Sequence, residues 1–270
     1  MSIRNVAIIG ASGNIGTAVL PEILKSDLNV TVGQDAVISM LPIIALDVQD
    51  TVIEAAIAAG VKRFIPSEYG SDSMNPAVLA AVPFFEAKKK YLEYLKSKED
   101  VISWTAVFTG PFFDWGLLTG FTGFDLSTNT ATLVDGGRAR YTTSNVAQIG
   151  RALVAVLKHA AETANQLVYV ESFTTTQLEV LAALERATGQ QWKVVNENSE
   201  DIRAAGLKAI GEGKMIEGGA NLITAAVLGR EALEDHSHAE GGIWNDRLGL
   251  PDEIVEVEVR RIVQTAASKQ

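Results

Sequence analysis

Three glycines near the start of the chain have the spacing of a turn that binds phosphate groups. They follow an apolar segment, residues 6–9, and precede an amphipathic segment that begins at Asn14. Glycine permits a sharp turn, a close approach of the backbone to pyrophosphate, and tight packing of helix on strand. Because free N–H groups and the dipole at a helix start attract anions, this order predicts a dinucleotide phosphate site. The predicted phosphate-binding residues are Gly10, Ser12, Gly13, Asn14, Ile15 and Gly16.

A second group of polar residues follows the strand expected over residues 61–65. The sequence RFIPSEYG, residues 63–70, leaves the carboxyl end of that strand, which is the edge where doubly wound sheets bind ligands. Side chains at this edge should therefore face the nicotinamide half of a bound cofactor. The residues expected to border the cofactor here and at the end of the preceding strand are Leu41, Pro42, Pro66, Ser67 and Glu68.

Alternating strands and helices must position these residues. The pattern predicts a Rossmann-type doubly wound parallel sheet over residues 1–130, onto which a helix within 143–160 packs back, and a smaller α/β substrate-binding region over 161–270. Thr176 and Glu179 have the spacing of a capping box, Gly189 should end that helix, and Ser144 should cap the helix that begins at residue 146. The valines after Pro251 fit either a helix or a strand. The other predicted elements are helices over 47–59, 83–98, 200–211 and 220–228, and strands over 103–108, 132–134, 140–142, 167–170 and 192–195.

The connection before Ala36 is too short for an ordinary doubly wound sheet. Only three residues, 33–35, separate a short strand expected over residues 29–32 from the strand that starts at Ala36. Changing sides in a parallel sheet needs a crossover of about a dozen or more residues. Two interpretations follow. Either strand three and its helix are missing, which we favour, or residues 29–32 do not occupy the usual position of strand two.

Composition restricts the class of protein. No segment reaches the roughly 18 apolar residues of a membrane span, and the first strand begins almost at Met1, so we expect a cytosolic protein without a signal peptide. The absence of cysteine excludes disulfides and thiolate chemistry, so any redox chemistry needs a cofactor. The net charge of -10 argues against a nucleic-acid partner. We expect a small-molecule substrate and no membrane partner.

Several motifs occur together along the chain. They are PSEYG at residues 66–70, Phe85-Glu86-Ala87-Lys88 in the next helix, VFTGPFF at 107–113 and SNVAQIGRAL at 144–153. In this combination the chain resembles the NmrA-like, or isoflavone reductase-like, family of atypical short-chain dehydrogenases, in which P-S-E-F-G precedes a helix bearing F-x-x-K. The resemblance covers nearly the whole chain and is closest to fungal members of unassigned substrate.

The resemblance implies an NADPH-dependent reductase of a small aromatic or phenolic metabolite. In this family the lysine of F-x-x-K is the general acid or base, which implies that role for Lys88, beside the nicotinamide. A partly desolvated lysine can have a lowered pKa and can move a proton while the cofactor moves a hydride. The alternative is that Lys88 lies on a solvated helix face and has no catalytic role. Lys88, Lys89 and Lys90 are consecutive, so at least one of them must lie on such a face. The residues implied to border the substrate are Thr109, Gly110, Phe112 and Phe113.

Other candidates are weaker. Tyr94 and Lys98 have the spacing of the Y-x-x-x-K pair of ordinary short-chain dehydrogenases, but no suitable serine-bearing strand precedes them. His236 and His238 lie in an acidic loop without a third ligand, so we expect them to be solvated and predict no metal site. Asp35 has the usual distance from the glycines for a ribose ligand, but it should lie at the opposite end of the sheet.

The C-terminal third should cover the substrate. Trp192, Trp244 and residues 216–228 are expected to line an apolar pocket there.

Family members clamp the 2'-phosphate of NADPH with a basic residue after strand two, and the segment that would hold it is absent here.

The alternative function is a non-catalytic NmrA-like regulator that senses dinucleotides, with a possible protein partner. Such regulators lack the F-x-x-K lysine, which this chain has. A third possibility is that the protein, without the missing segment, no longer binds the cofactor.

Overall fold

The computed structural model of the protein describes residues 3–28 and 34–268, which form helices around three β-sheets. The predictions for residues 29–32 lie outside the described residues. The strands are β1 (Val6–Ile9), β2 (Ala36–Ser39), β3 (Arg63–Ile65), β4 (Ser103–Phe108), β5 (Phe124–Asp125), β6 (Thr130–Val134), β7 (Arg140–Thr143), β8 (Gln166–Tyr169), β9 (Phe173–Thr176) and β10 (Lys193–Glu197). The helices are α1 (Asn14–Leu24), α2 (Gln49–Ala58), α3 (Pro76–Ala81), α4 (Glu86–Lys96), α5 (Phe113–Thr119), α6 (Val146–Lys158), α7 (Gln177–Thr188), α8 (Ser199–Gly211), α9 (Met215–Leu228), α10 (Asn245–Leu248) and α11 (Val255–Ala267), with 3-10 turns at Ile43–Val48, Pro83–Phe85 and His236–His238.

The main sheet is parallel and has five strands in the order β1-β2-β3-β4-β8. Val6 pairs with Ala36 and Ile9 pairs with Ser39, so β2 lies directly beside β1. This confirms a Rossmann-type α/β fold. β2 occupies the position beside the first strand that the fourth strand takes in an ordinary Rossmann sheet. Within the described part of the chain, β1 is therefore an edge strand.

Helices cover both faces of this sheet. On one face α1 packs against α6, and buried side chains such as Val19, Ile23 and Leu153 join β1, β2 and β8 in one core. On the other face Ile53 of α2 and Leu92 of α4 pack against β3 and β4. The carboxyl ends of the strands remain between these layers, and the loops that follow them can build a site.

The smaller sheets combine segments that are distant in sequence. β6 lies between β10 and β5, and β7 pairs with β9, so the strands expected on either side of residues 135–137 belong to different sheets. β8 pairs with β4 in the main sheet. The division of the chain into residues 1–130, with 143–160 packed onto them, and residues 161–270 stays a prediction.

Helix ends follow local side chains in one case and tertiary contacts in another. Thr176 and Glu179 form the predicted capping box of α7, and Gly189 ends that helix with a φ of 67°. The prediction that Ser144 caps α6 is wrong, because Asn145 is the N-cap residue. The Ser144 hydroxyl instead donates to the backbone oxygen of Thr109 at 2.8 Å, which ties the start of α6 to the end of β4.

A buried arginine holds the central strands together. The Arg63 side chain is fully buried, and it donates to the hydroxyls of Ser103, Thr105 and Thr163 and to the backbone oxygen of Ala160. Burial lowers the pKa of Arg63 to about 10. These bonds connect β3 to β4 and to the end of α6, and they fix the strand that delivers residues 66–70 to the site. In the described ranges, no helix is long and apolar enough to cross a membrane.

Candidate functional site

The glycine turn lies between β1 and α1, as predicted. A side chain at Gly10, whose φ is 82°, would place its Cβ 2.4 Å from the Met40 backbone oxygen, and a Cβ at Gly16 would lie 2.3 Å from the Gly10 oxygen. The fold itself therefore requires these two glycines. Gly13 is different, since it is exposed and a Cβ there would approach only the Gly10 oxygen, at 3.4 Å. Gly13 leaves open space in front of the start of α1, which suits a phosphate-bearing ligand.

Ser67 joins two neighbouring strand ends. Its hydroxyl donates to the backbone oxygen of Leu41 at 2.7 Å, and its N–H donates to Oε1 of Gln49 at 3.2 Å. The Ser39 hydroxyl donates to the same Gln49 oxygen, and Nε2 of the buried Gln49 has no hydrogen-bond partner within the described structure. Gln49 was not singled out from the sequence, where a glutamine at a helix start carries no distinctive signal. Leu41 is half-buried beside this network and Pro42 is exposed.

Lys88 and Glu68 meet at the carboxyl end of β3. The Lys88 side chain is 9% exposed, and its Nζ donates to the backbone oxygen of Glu68 at 2.6 Å. The same nitrogen lies 5.1 Å from the centre of the Phe85 ring. The Glu68 carboxylate is fully buried and accepts a hydrogen bond from the Ser73 hydroxyl at 2.8 Å. Lys88 is thus an inward-facing lysine, in contrast to its exposed neighbour Lys90.

Burial shifts both groups toward their neutral forms. Burial raises the pKa of Glu68 to about 7, although Lys88 and the Ser73 hydroxyl act in the opposite direction. Burial also lowers the pKa of Lys88, and the carboxylates of Glu68 and Glu234 oppose that change. A lysine whose pKa is lowered in this way exchanges protons closer to neutral pH than a solvated lysine does.

His236 contradicts the expectation for its loop. We expected both histidines to be solvated, and His238 is exposed, but His236 is 4% exposed. Its Nε2 lies 3.4 Å from Oε2 of the fully buried Glu234, and its ring lies 5.5 Å from that of Tyr169. No group of three or more possible metal ligands occurs among residues 3–28 and 34–268.

The segment expected to border the substrate is divided between the site and the core. The N–H groups of Thr109 and Gly110 both donate to the backbone oxygen of Gly70, which joins this segment to the end of β3. Phe112 is half-buried. The Phe113 ring is 1% exposed and packs at 4.8 Å against Phe173 in the core of the smaller region, so it is not available to a ligand.

The two tryptophans expected in an apolar pocket are core residues. Trp192 is 4% exposed and packs against Phe124, and Trp244 is 7% exposed and belongs to the core beneath α1 and α6. Ile216 is 78% exposed. Packing between segments that are distant in sequence takes up both indole rings, so the prediction that they line a pocket is wrong. Leu222, Ala225 and Ala226 of the 216–228 segment do line a pocket.

The weaker candidates lie away from the strand ends. The Tyr94 hydroxyl donates to Glu54 on the outer surface of α2 and α4, and the Lys98 amine lies 5.2 Å from the Tyr94 ring. Asp35 accepts hydrogen bonds from the N–H groups of Arg4 and Asn5. Because Asp35 precedes β2, it lies at the end of the sheet opposite the glycine turn, as predicted.

Comparison with known proteins agrees with this arrangement. A model of the NmrA-like family matches residues 28–205. The chain is 36% identical over 186 residues to "Oxidoreductase aprR" of Aspergillus flavus, a match that covers 68% of this chain and 62% of that protein. It is 30% identical over 235 residues to "Oxidoreductase poxI" of Penicillium oxalicum, covering 73% of this chain and 74% of that protein. The chain belongs to the NmrA-like family.

A solved structure shows the same fold at low identity. The binary complex of leucoanthocyanidin reductase with NADPH from Vitis vinifera superimposes with a TM-score of 0.79 and 17% identity. The superposition covers 96% of this chain and 99% of that chain. At this identity the likeness concerns the fold, and it confirms the Rossmann-type architecture.

Proposed function

We propose that the protein is an NAD(P)H-dependent reductase of a small aromatic or phenolic metabolite, with Lys88 as its general acid and base. The observation that carries the proposal is the burial of Lys88 at the carboxyl edge of the sheet, 2.6 Å from the Glu68 backbone oxygen. Two relatives named as oxidoreductases and a fold shared with an NADPH complex support it.

The residues of the first turn fit the pyrophosphate of a dinucleotide. The exposed Gly13 lies at the start of α1, where a Cβ would stand in the space that a phosphate needs. The N–H groups of the first helical turn, from Asn14 and Ile15 onward, have no partners within a helix and can donate to phosphate oxygens. Leu41 and Pro42 would border the cofactor at the end of β2, and Ser67 would border it beside them.

Lys88 would supply the proton of the reduction. Reduced nicotinamide supplies a hydride to a substrate carbon when it is bound. The N–H bond of the Lys88 ammonium breaks as an O–H bond forms on the substrate, and the electron pair stays on Nζ. The Glu68 backbone oxygen keeps that nitrogen in place, and the surrounding burial lowers the cost of releasing its proton.

The substrate would approach from the side of residues 109–112. Thr109 and Gly110 are joined to Gly70 and so lie next to the strand end that carries Glu68. The half-buried Phe112 offers an aromatic face to a planar substrate. These positions support an aromatic or phenolic substrate class and do not name a compound.

Thermal unfolding with NADPH, with NADH and without ligand tests the proposal. A ligand that binds the folded state stabilises it, by about 2.7 kcal/mol at a concentration one hundred times its Kd. We expect both dinucleotides to raise the Tm of the natural protein, and neither to raise the Tm of Gly13→Val. No change with either dinucleotide would instead favour a remnant that does not bind the cofactor. A dinucleotide-sensing regulator would bind without turnover, and the buried Lys88 argues for an enzyme.

A further inference from the structure

β10 is a strand at the edge of the smaller sheet, and its side chains are all exposed. The order of that sheet is β10-β6-β5, so within the described residues β10 pairs with β6 on one side and with no strand on the other. Its two valines, Val194 and Val195, are 45% and 36% exposed. An edge strand of this kind presents N–H and C=O groups to which another strand can bind.

The pairing with β6 determines which main-chain groups of β10 point to the open edge. The N–H of Lys193 donates to the main chain just before β6, and the backbone oxygen of Glu197 accepts from the main chain just after it. The main-chain groups of successive strand residues point alternately to the two edges of the strand, so Val195 also bonds toward β6. The N–H and C=O groups of Val194 and Asn196 therefore point away from β6.

The sequence of β10, Lys-Val-Val-Asn-Glu, is complementary in charge to a second copy of itself that runs antiparallel. With Val195 opposite Val195 of the second copy, Lys193 of each copy stands opposite Glu197 of the other. Opposite charges at facing positions stabilise antiparallel strands. Within residues 3–28 and 34–268, neither Lys193 nor Glu197 forms an ion pair. Both charges are therefore available to a partner.

The same register suits the main-chain groups at the open edge. Val194 of each copy stands opposite Asn196 of the other, and the N–H and C=O groups of both residues point outward, so the strands can exchange four hydrogen bonds. Lys193, Val195 and Glu197 take the positions between these bonds, where facing side chains are closest.

Other registers do not meet both requirements. A shift of one residue would place Val194 opposite Val195, whose main-chain groups bond toward β6. A shift of two residues would separate Lys193 from Glu197. A parallel arrangement in register would place like charges side by side. The charge pattern and the main-chain geometry thus select the same antiparallel register independently.

We propose that β10 is a dimerisation strand, which pairs antiparallel with β10 of a second copy of this chain about a two-fold axis at Val195. The two three-stranded sheets would then continue into each other across the axis. Each copy has a net charge of -10, which opposes association in general, so the local Lys193–Glu197 pairs must offset that repulsion. This association does not depend on the proposed reductase function.

Sedimentation velocity of the full chain over a range of concentrations tests the proposal. We expect the natural protein to pass from monomer to dimer as its concentration rises. Lys193→Glu and Glu197→Lys each place like charges opposite one another at two positions, so each should raise the dimer Kd at least about tenfold. Lys208→Glu makes the same change of net charge as Lys193→Glu at an exposed position of α8 and should change the Kd little.

Restoring the opposite charges should restore the dimer. The double variant Lys193→Glu/Glu197→Lys again has opposite charges at both positions and should dimerise as the natural protein does. An equimolar mixture of the two single variants also brings opposite charges together, so it should form a heterodimer at concentrations where each variant alone is monomeric. Hydrogen exchange locates the contact, because the amides of Val194 and Asn196 should become protected as the dimer forms.

Three outcomes would overturn the proposal. A natural protein that stays monomeric at every concentration does not use β10 in this way. A dimer that neither single charge reversal weakens is formed by another surface. A dimer that the reversals weaken, but that neither the double variant nor the mixture restores, does not have the antiparallel register. Circular dichroism checks the folding of each variant. If a charge variant does not fold, Asn196→Pro removes an outward N–H without removing a bond to β6, and it should also weaken the dimer.

Discussion

The Lys88 amine and the Glu68 backbone oxygen are joined by a 2.6 Å hydrogen bond that crosses from α4 to the end of β3. This bond ties a helix side chain to the main chain of the segment that also positions Ser67. The lysine is therefore held by backbone, and its position does not depend on the charge of the Glu68 carboxylate. An ammonium has three donors, and within residues 3–28 and 34–268 the other two make no hydrogen bond, so they can serve a ligand.

Lys88→Ala should lower substrate-dependent turnover by roughly two to four orders of magnitude, the usual contribution of a positioned acid or base. Cofactor affinity should change little, because phosphate contacts at the glycine turn remain. Steady-state oxidation of NADPH and direct titration of the cofactor measure the two quantities. Lys89→Ala and Tyr94→Phe are matched controls on the same helix and should have almost no effect. Loss of activity in Tyr94→Phe would contradict the role given to Lys88.

Gly13→Val should abolish dinucleotide binding and leave the protein folded. A Cβ at this position meets only the Gly10 oxygen at 3.4 Å, so the side chain points into the space in front of α1. Gly16→Val should instead destabilise the fold, because its Cβ would lie 2.3 Å from the same oxygen. Nucleotide fluorescence titration and circular dichroism separate the two effects. Undiminished binding by folded Gly13→Val would mean that the turn has only a structural role.

Glu68→Gln should make stability less dependent on pH. Burial raises the pKa of Glu68 to about 7 from an ordinary value of 4.5, so between these values the folded protein holds a proton that the unfolded chain has released. The free energy of unfolding should then fall as pH rises through this window, by at most about 1.4 kcal/mol per pH unit from this group. Lys88 acts in the opposite sense, because its pKa is lowered and stability is regained as pH rises above that value.

Urea unfolding at about pH 5 and about pH 7 measures the effect of Glu68. In Glu68→Gln this contribution is absent, so the difference in unfolding free energy between the two pH values should become smaller. Glu86→Gln, which removes an exposed carboxyl from the first turn of α4, should leave the difference as it is in the natural protein. An unchanged difference in Glu68→Gln would contradict the raised pKa.

Local signals in the sequence predicted the elements that carry the site, and long-range packing determined the rest. The glycine turn and the capping box at Thr176 depend on residues within one or two helical turns, so they could be predicted directly from the sequence. The burial of His236 depends on its docking to Thr142, 94 residues earlier. Trp192 and Trp244 enter cores built from distant segments. Neither periodicity nor composition records which loop covers a given strand end, so the Glu234–His236 pair could not be predicted.

The preference for NADPH over NADH should be weak, about tenfold or less. From Ser26 to Asp35 the sequence has no arginine or lysine that could clamp a 2'-phosphate. Lys25 forms an ion pair with Glu22 at the far end of α1, about 16 Å along the helix from the glycine turn. A charged hydrogen bond to that phosphate contributes roughly 1.5 to 3 kcal/mol, and about 1.4 kcal/mol corresponds to a tenfold change in Kd.

Dissociation constants for both dinucleotides, measured at one ionic strength, test this preference. Without a basic clamp the two values should differ by about tenfold or less, and the difference should respond little to added salt. The thio or acetylpyridine analogues of the two dinucleotides provide a matched control, because they alter the nicotinamide and leave the adenosine phosphate unchanged, so they should give the same ratio. A preference for NADPH well above tenfold that weakens with salt would show that a basic side chain from another part of the chain binds the 2'-phosphate.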